Sequence, residues 1–551
     1  MYLIYLKALQ QSSSAIRLRI LPKAITYLTN IGADILAEHI PRISIPNIKQ
    51  RFNNGLGNIL LSAIRVSRFK RASYHTISTS SPNIITWIMK NLSVGLIGDL
   101  SGEINVLLPM KLGGEIEVSA DGIHFKLETT LERSKAGAAQ VSPISCRTMI
   151  SVMMIEIHNG GIAGMAFNLF KKGISRHIRP LIQTLICEKV IQFINEDINA
   201  KLSQTQTKTL LANAAPVSTL ALLLGFPSSD ELIDSFRVFN ITSSYPFLRK
   251  LASRVYVDFS LSEDPVCYNN TIEIYNMAEI SITGSNTSKA PFSVPPMSWK
   301  KQPSENAMIH LLISDYIANA LLYHAFMEHL LQFVVDDQTV SSLHSLLRTS
   351  CSDGICLADL IPQLTERYPN SKVRLIFKPT RAPVLLFQSE QGGILRAKVE
   401  GLVFLHTVGF EDNVSHQAAT FVLDIVADMN IFIENHRLLG KITLSTFRMQ
   451  HVQGNIEISD EELSDIELLC SEVLQRSLND FLQTGFLMPI PKILRIKETE
   501  LHILNRSIFI STEFGLDRRR VSVIASEAIA DSTYFPRKLR VHSTRPKEVD
   551  E

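Results

Sequence analysis

The sequence predicts an α+β protein of two domains, on three observations. The chain has 551 residues, too many for one ordinary hydrophobic core. Apolar residues recur with a period of two in many strand-length stretches and at steps of three and four in a few longer ones, which separates strands from helices. The order strand, helix, strands, long helix then occurs twice, at an offset of about 290 residues, and reads as an internal duplication. A hydrophobic content of 45%, 20% charged residues and a mean hydropathy of +0.12 describe much apolar surface to bury rather than a disordered chain. A formal charge of +2 and a pI near 8.1 are too mild to imply nucleic acid, which needs a concentrated basic face. No uninterrupted apolar run of about twenty residues predicts a membrane span.

Residues 1–15 are a leader fragment: Met1 to Leu9 is broken by Lys7 and followed by Gln10 to Ser14, and alone this start fits a cytosolic protein. The first domain is placed at 16–202. Ile16, Leu18 and Ile20 alternate with Arg17 and Arg19 as a half-buried strand. Pro22 suits a first helical turn, and Ile25, Leu28, Ile31 and Ile35 make a stripe that ends before Pro41. Strands begin again at Ile64, Val66 and Phe69. Beyond an expected Asp121-Gly122 turn, Ile123, Phe125, Leu127, Thr129 and Leu131 alternate with polar residues. The strand from Arg147 to Ile157 is apolar on both faces, through Met149, Met153 and Ile155 on one and Ile150, Val152 and Met154 on the other, so it needs two cores or a core and a ligand. After Asn159-Gly-Gly161 a helix carries Phe167, Phe170, Ile174, Ile178, Leu181 and Leu185 on one stripe, with a kink or break expected at Pro180.

Residues 203–254 are an insertion, Ser/Thr-rich and interrupted by proline. Residues 255–303 hold a strand with Val255, Val257, Phe259 and Leu261 alternating, expected in a sheet between the domains, and a Pro-rich extended linker. The second domain, 304–516, opens with Ile309 to Ile313, which matches Ile16 to Ile20 in length and alternation. A helix follows with Ile317, Leu321, Leu322 and Phe326. Strands are expected around Val373 to Phe377, Leu395 to Val403 and Phe421 to Ile431. The closing helix starts at a Ser459-x-x-Glu462 capping box, carries Ile466, Leu469, Val473 and Leu478, and stops at Gly485. A polar, basic tail, 517–551, completes the chain and is expected to be loose.

Catalytic signatures are missing: no Gly-x-Ser-x-Gly elbow, His-Glu-x-x-His, phosphate-binding loop or Cys-x-x-Cys occurs, the 15 histidines show no ligand spacing, and neither an enzyme nor a cofactor or metal is expected. A cysteine before a strand, Cys146, and one on the next helix, Cys187, fit a helix-to-sheet staple in an oxidising compartment. Cys351 and Cys356 fit either a small closed loop or two thiols, and Cys267 and Cys470 have no evident partner. Six Asn-x-Ser/Thr sequons stand at Asn91, Asn240, Asn269, Asn286, Asn413 and Asn505.

The order of Cys146, the strand and glycine turn, Leu169-Phe170-Lys171-Lys172 and Cys187-Glu188-Lys189-Val190 resembles the N-terminal domain of a known family. Leu312-Ile-Ser-Asp-Tyr316 and Gly485-Phe-Leu-Met-Pro-Ile-Pro491 extend the resemblance to most of the chain, from about Ile16 to about Phe514. That family contains bactericidal/permeability-increasing protein, lipopolysaccharide-binding protein, phospholipid transfer protein and cholesteryl ester transfer protein. The resemblance implies an elongated, pseudo-symmetric boomerang in which each half is a twisted antiparallel barrel wrapped around long helices, with a central sheet between. It implies a Cys146–Cys187 disulfide, secretion, and one apolar pocket per half that holds the acyl chains of a phospholipid or related lipid. Lining candidates are Ile25, Leu28, Ile35, Met153, Phe170, Ile174 and Leu181 in the first half and Leu321 and Phe326 in the second. The antibacterial members carry a basic hairpin at the N-terminal tip. The matching stretch, Val106 to Gly114, has one cation, so Leu107, Leu108 and Met110 form an apolar tip suited to a membrane or lipoprotein surface. The nearest basic cluster is Arg65, Arg68, Lys70 and Arg71, read as a solvated strand edge or a weak phosphate contact. Lipid binding and transfer is the leading expectation. A lipopolysaccharide-binding antibacterial role and a structural or adhesion protein with filled cores are the alternatives.

Overall fold

A computed structural model of the chain describes residues 14–42, 45, 47–52, 57–105, 109–169, 171–204, 207–210, 253–284, 289–300, 306–336, 346–351, 356–410, 414–487 and 493–523. The first half opens with β1 (Ile16–Ile20) and α1 (Pro22–His39). It continues through β2 (Ile48–Phe52), β3 (Gly57–Lys70), β4 (Tyr74–Ser80), β5 (Ile84–Asn105), β6 (Pro109–Arg133) and β7 (Ala139–His158). The helices α2 (Gly161–Leu169) and α3 (Lys171–Phe193) follow, then a π-helical turn and the short α4 (Asn199–Ser203). A bridge region supplies β8 (Lys208–Leu210), β9 (Val255–Asp258), the hairpin β10 (Val266–Tyr268) and β11 (Thr271–Asn276), and β12 (Glu279–Ile282). The second half repeats the plan with β13 (Ile309–Ser314), α5 (Tyr316–Met327), β14 (Phe333–Val335), β15 (Ser371–Pro379), β16 (Val384–Gln388), β17 (Ile394–Gly409), β18 (Ser415–Glu434) and β19 (Arg437–Gly454). It closes with α6 (Asp460–Thr484), β20 (Phe486–Leu487) and the hairpin β21 (Leu494–Leu504) and β22 (Ser507–Leu516).

The two halves share one six-stranded sheet, ordered β10-β11-β1-β13-β22-β21. β1 and β13 pair antiparallel about Leu18 and Leu311, and the last hairpin of each half returns to that half's own first strand. On one face, Leu18, Ile20, Ile274, Phe514 and Leu516 pack against Ile25 and Ile31 of α1. The alternation of β1 dictates the other face, where Arg19 bonds Glu273 and lies over the Trp299 ring at 4.1 Å. The Pro-rich segment forms a strap here rather than a free linker: Arg17 donates to the Met297 carbonyl, and Met297 packs on Leu312 and Phe509.

Each half also has its own large antiparallel sheet, ordered β2-β3-β5-β6-β7 with β4 on β5, and β14-β15-β17-β18-β19-β20 with β16 on β17. Neither sheet closes into the expected barrel among the described residues. Helices line the open edges instead, and four asparagines act as substitute peptide groups there. Asn168 donates to the Ile157 carbonyl at 2.8 Å and accepts its N–H at 3.0 Å. Asn199 does the same to Val141, Asn319 to Leu385 and Asn479 to Ile442. A carboxamide carries one donor face and one acceptor face in the geometry of a neighbouring strand, so it satisfies an edge residue without adding a strand.

Several local expectations change. Asp121-Gly122 is a kink inside β6, not a turn: Gly122 has φ +65°, and a Cβ there would lie 2.7 Å from Ser151 Oγ. Opposite it, β7 switches faces at Ser151–Val152, so Ile150, Met153 and Ile155 are buried while Met149 (66% exposed), Val152 (51%) and Met154 (42%) face out. Pro180 lies within α3, which continues past it. Val255–Asp258 belongs to a separate three-stranded sheet, β12-β9-β8, while β10 and β11 enter the central one. Residues 517–523 are docked, with Val521 in the α1 core and Ser522 bonded to His39. The Ser459/Glu462 capping box forms as expected, and Gly485 ends α6 at φ +67°.

Candidate functional site

The apolar inner face of the first large sheet is built from register. Val66, Leu96, Val118 and Ile155 stand opposite one another across β3, β5, β6 and β7, so they form one row on one face. A second row runs through Val94, Ala120 and Met153. Two helices cover this face unequally. Along β7, Ile178, Ile182 and Ile186 of α3 pack on Ile123, Ile150, Met153 and Ile155, and farther on Val190, Ile194 and Ile198 meet Phe125, Leu127 and Trp87. At the central-sheet end, α1 packs beside Ile77 of β4, which pairs with Trp87 and so shares the same face. Burial therefore declines along the row: Ile155 is 3% exposed, whereas Val118, Leu96 and Val66 are only half-buried. The result is an apolar trough between two helices.

The disulfide Cys146–Cys187 pins α3 to β7, with Cα atoms 5.6 Å apart and a sequence separation of 41. Cys351 and Cys356 are also bonded, so of the two readings the closed loop holds. Together with Asp359 they make a close Cys/Cys/Asp group, but both sulfurs are used in the bond, and one Asp359 oxygen accepts the Cys356 N–H. Burial pushes the Cys267 and Cys470 thiols up to about 11, which keeps both protonated and unreactive.

The lining candidates fall in three places. Ile25, Leu28 and Ile35 join the α1 core on the central sheet. Met153 lies under α3. Leu321 and Phe326 pack against Val255, Val257, Ile280 and Ile282, beside the three-stranded sheet rather than on the second large sheet. Ile174 and Leu181 are on α3, and Phe170 lies outside the described residues. Leu185 is 41% exposed, so the sheet-facing stripe is Ile178, Ile182, Ile186 and Val190. That strict four-residue spacing of β-branched residues was a readable signal. Of the trough residues, Val66 was read only as the start of a strand, and Leu96 and Val118 were not singled out, because their pairing requires register across three strands.

At the far end of the sheet the hairpin residues Leu107 and Leu108 lie outside the described residues, while Met110 is in β6, paired with Ile104. The same end carries α2, whose Ile162 and Met165 are 81% and 65% exposed; a Cβ on Gly160, at its start, would lie 3.0 Å from the Gly113 carbonyl. Two cations of the nearby basic cluster are paired, Arg68 with Asp121 and Arg71 with Asp34, which favours the solvated-edge reading. Among the sequons, Asn91, Asn269 and Asn505 are exposed, while Asn240, Asn286 and Asn413 lie outside the described residues. Among those residues no helix is long and apolar enough to cross a membrane.

Comparison with known proteins assigns both halves. Residues 24–205 match the LBP / BPI / CETP family N-terminal domain and residues 249–516 its C-terminal domain. The chain is 19% identical to bactericidal permeability-increasing protein of Sebastes schlegelii, over 90% of this chain and 94% of that protein. It is 20% identical to lipopolysaccharide-binding protein of Homo sapiens, over 89% and 92%. To phospholipid transfer protein of Homo sapiens it is 22% identical, over 67% and 63%.

Proposed function

Because the chain belongs to the LBP / BPI / CETP family, we propose that it is a secreted lipid-binding protein that takes acyl chains into its apolar trough and carries them between lipid surfaces. The observation that carries this reading is the Val66–Leu96–Val118–Ile155 row, a continuous apolar wall that helices cover only in part. Burial of hydrocarbon there stabilises by about 0.8 kcal/mol per CH₂, so one acyl chain suffices for tight, non-directional binding. No covalent chemistry is needed. Exposed Ile162 and Met165 beside the hairpin that holds Leu107, Leu108 and Met110 favour docking of that end on a lipid surface. The disulfides and exposed sequons support passage through an oxidising compartment.

Lipopolysaccharide is specified by the name of several relatives, and its phosphates call for clustered cations. The hairpin from Val106 to Gly114 holds only Lys111. Protein expressed behind a functional signal and purified from the medium is therefore expected to yield stoichiometric phospholipid or sterol ester on organic extraction and mass spectrometry. Folded, disulfide-complete protein that yields none, and exchanges none between vesicles, would sink the transfer reading in favour of a filled core. Binding that weakens steeply with salt would move it to an anion-gripping role.

A further inference from the structure

Among the described residues, the seam between α2 and α3 and the free edge of β7 is tied at regular intervals except in one stretch. From the far end inward, Asn168 clamps Ile157, Lys171 pairs with Glu156, Arg179 donates to the Ser151 carbonyl, Gln183 donates to the Thr148 carbonyl, and Cys187 bonds Cys146. Peptide groups of alternate residues on an edge strand point the same way. Ile157 presents its own to the seam, so Ile155 and Met153, on the same side of the face switch, do so too. Among the described residues no side chain caps these two. At that level of α3, between Lys171 and Arg179, stands Ser175. It is 3% exposed, and its hydroxyl has no hydrogen-bond partner; neither does Arg179 Nε one turn on. A buried polar atom without a partner is costly and calls for an explanation, of which a ligand that completes it is one.

Three further features converge on this stretch. Immediately inside it lies Ile155, the buried end of the trough row. On the outer side of the same strand are Met149, Val152 and Met154, all exposed. Lys172 and Arg176, on the flanking turns of α3, are exposed and form no ion pair among the described residues, and from Gly161 to Cys187 there is no Asp or Glu. Hydrocarbon outside, unpaired donors in the seam, cations beside them and hydrocarbon within is the sequence of environments that a glycerophospholipid crosses.

We propose that the seam between Ile157 and Ser151 is the port through which a diacyl glycerophospholipid is taken in, with an ester carbonyl of the lipid accepting a hydrogen bond from Ser175 Oγ. This rests on the lipid-binding reading above and adds the route and a contact to the lipid ester. In the closed seam Ser175 is sealed from water, so the seam parts at the stretch where no described side chain ties it, to admit the lipid. Lys172 and Arg176 meet the phosphate as it enters.

The test uses the full chain and vesicles of diacyl phosphatidylglycerol or of its dialkyl ether counterpart, which has the same head group and chains but no carbonyl. Wild type is expected to bind the diacyl lipid about tenfold more tightly. Ser175→Ala is expected to bring the two within about twofold without lowering Tm, because it removes a hydroxyl that is unpartnered in the empty protein. Equal binding of the two lipids by wild type, or a preference that survives Ser175→Ala, overturns the ester contact. Met154→Asp and Val152→Asp, both at exposed positions, are expected to slow uptake several-fold and leave final occupancy unchanged, with Tyr74→Asp as the control. Uptake unchanged from the control moves the port elsewhere. Failure of wild type to bind either lipid overturns the lipid reading itself, and the port with it.

Discussion

His310 shows how much a single side chain can impose on the shared sheet. It lies on β13 beneath Trp299 and against Phe509, 3% exposed, and its Nε2 has no partner. Burial, reinforced by the nearby Arg19 guanidinium, lowers its pKa to about 4. A histidine depressed in the folded state favours the fold while it is neutral. Its contribution is therefore present above the unfolded value of about 6.5 and is lost as pH falls toward 4. The expected size is about 3 kcal/mol at most. Urea unfolding at pH 7.5, 6, 5 and 4 should show that decline, and His310→Phe should flatten it. An unchanged pH profile in the variant would assign the acid sensitivity to other groups. The neighbouring Glu273 behaves differently: burial pushes its carboxyl up, but hydrogen bonds from Tyr268, Tyr275 and Arg19 outweigh that and hold it below the usual range.

At the scale of elements, the long helices act as edge strands as much as packing partners. α6 shows this through Asn479 on Ile442, Gln475 on the Leu444 N–H and Glu467 on the Met449 N–H. Asn479→Leu is expected to keep the packing volume but leave both Ile442 peptide groups uncapped, a loss of about 2 kcal/mol in urea unfolding, whereas exposed Asp480→Ala should change stability by less than about 0.5 kcal/mol. Equal effects would mean that water replaces the clamp at no cost. These edges also mark what could be read in advance. Ile123 to Leu131 and Ser459 to Gly485 were legible because alternation, a capping box and a stop glycine are local signals. The face switch in β7 was not, since it depends on Gly122 in the adjacent strand. β19 was missed because its edge is covered by α6 amides, which leaves a polar-looking strand with few buried residues such as Ile442. Of the candidate site, Met153 was singled out from its own apolar strand, whereas Val66, Leu96 and Val118 acquire their meaning only from pairing at long range.

For the whole molecule, the pairing of β1 with β13 decides how the halves relate. Ile16 faces Ile313, Leu18 faces Leu311, and Ile20 faces Ile309, so equivalent positions of the two repeats exchange places about a local two-fold axis. That is the contact two identical subunits make when they meet edge to edge. The chain thus holds, as internal architecture, the arrangement of a symmetric dimer of half-length subunits. If so, the covalent link between halves is a convenience of expression rather than a condition of folding. Halves severed on the amino side of β13 and produced together are expected to find each other and co-elute as a one-to-one complex, while either half alone, with a bare edge at β1 or β13, should pair with its own copy or precipitate.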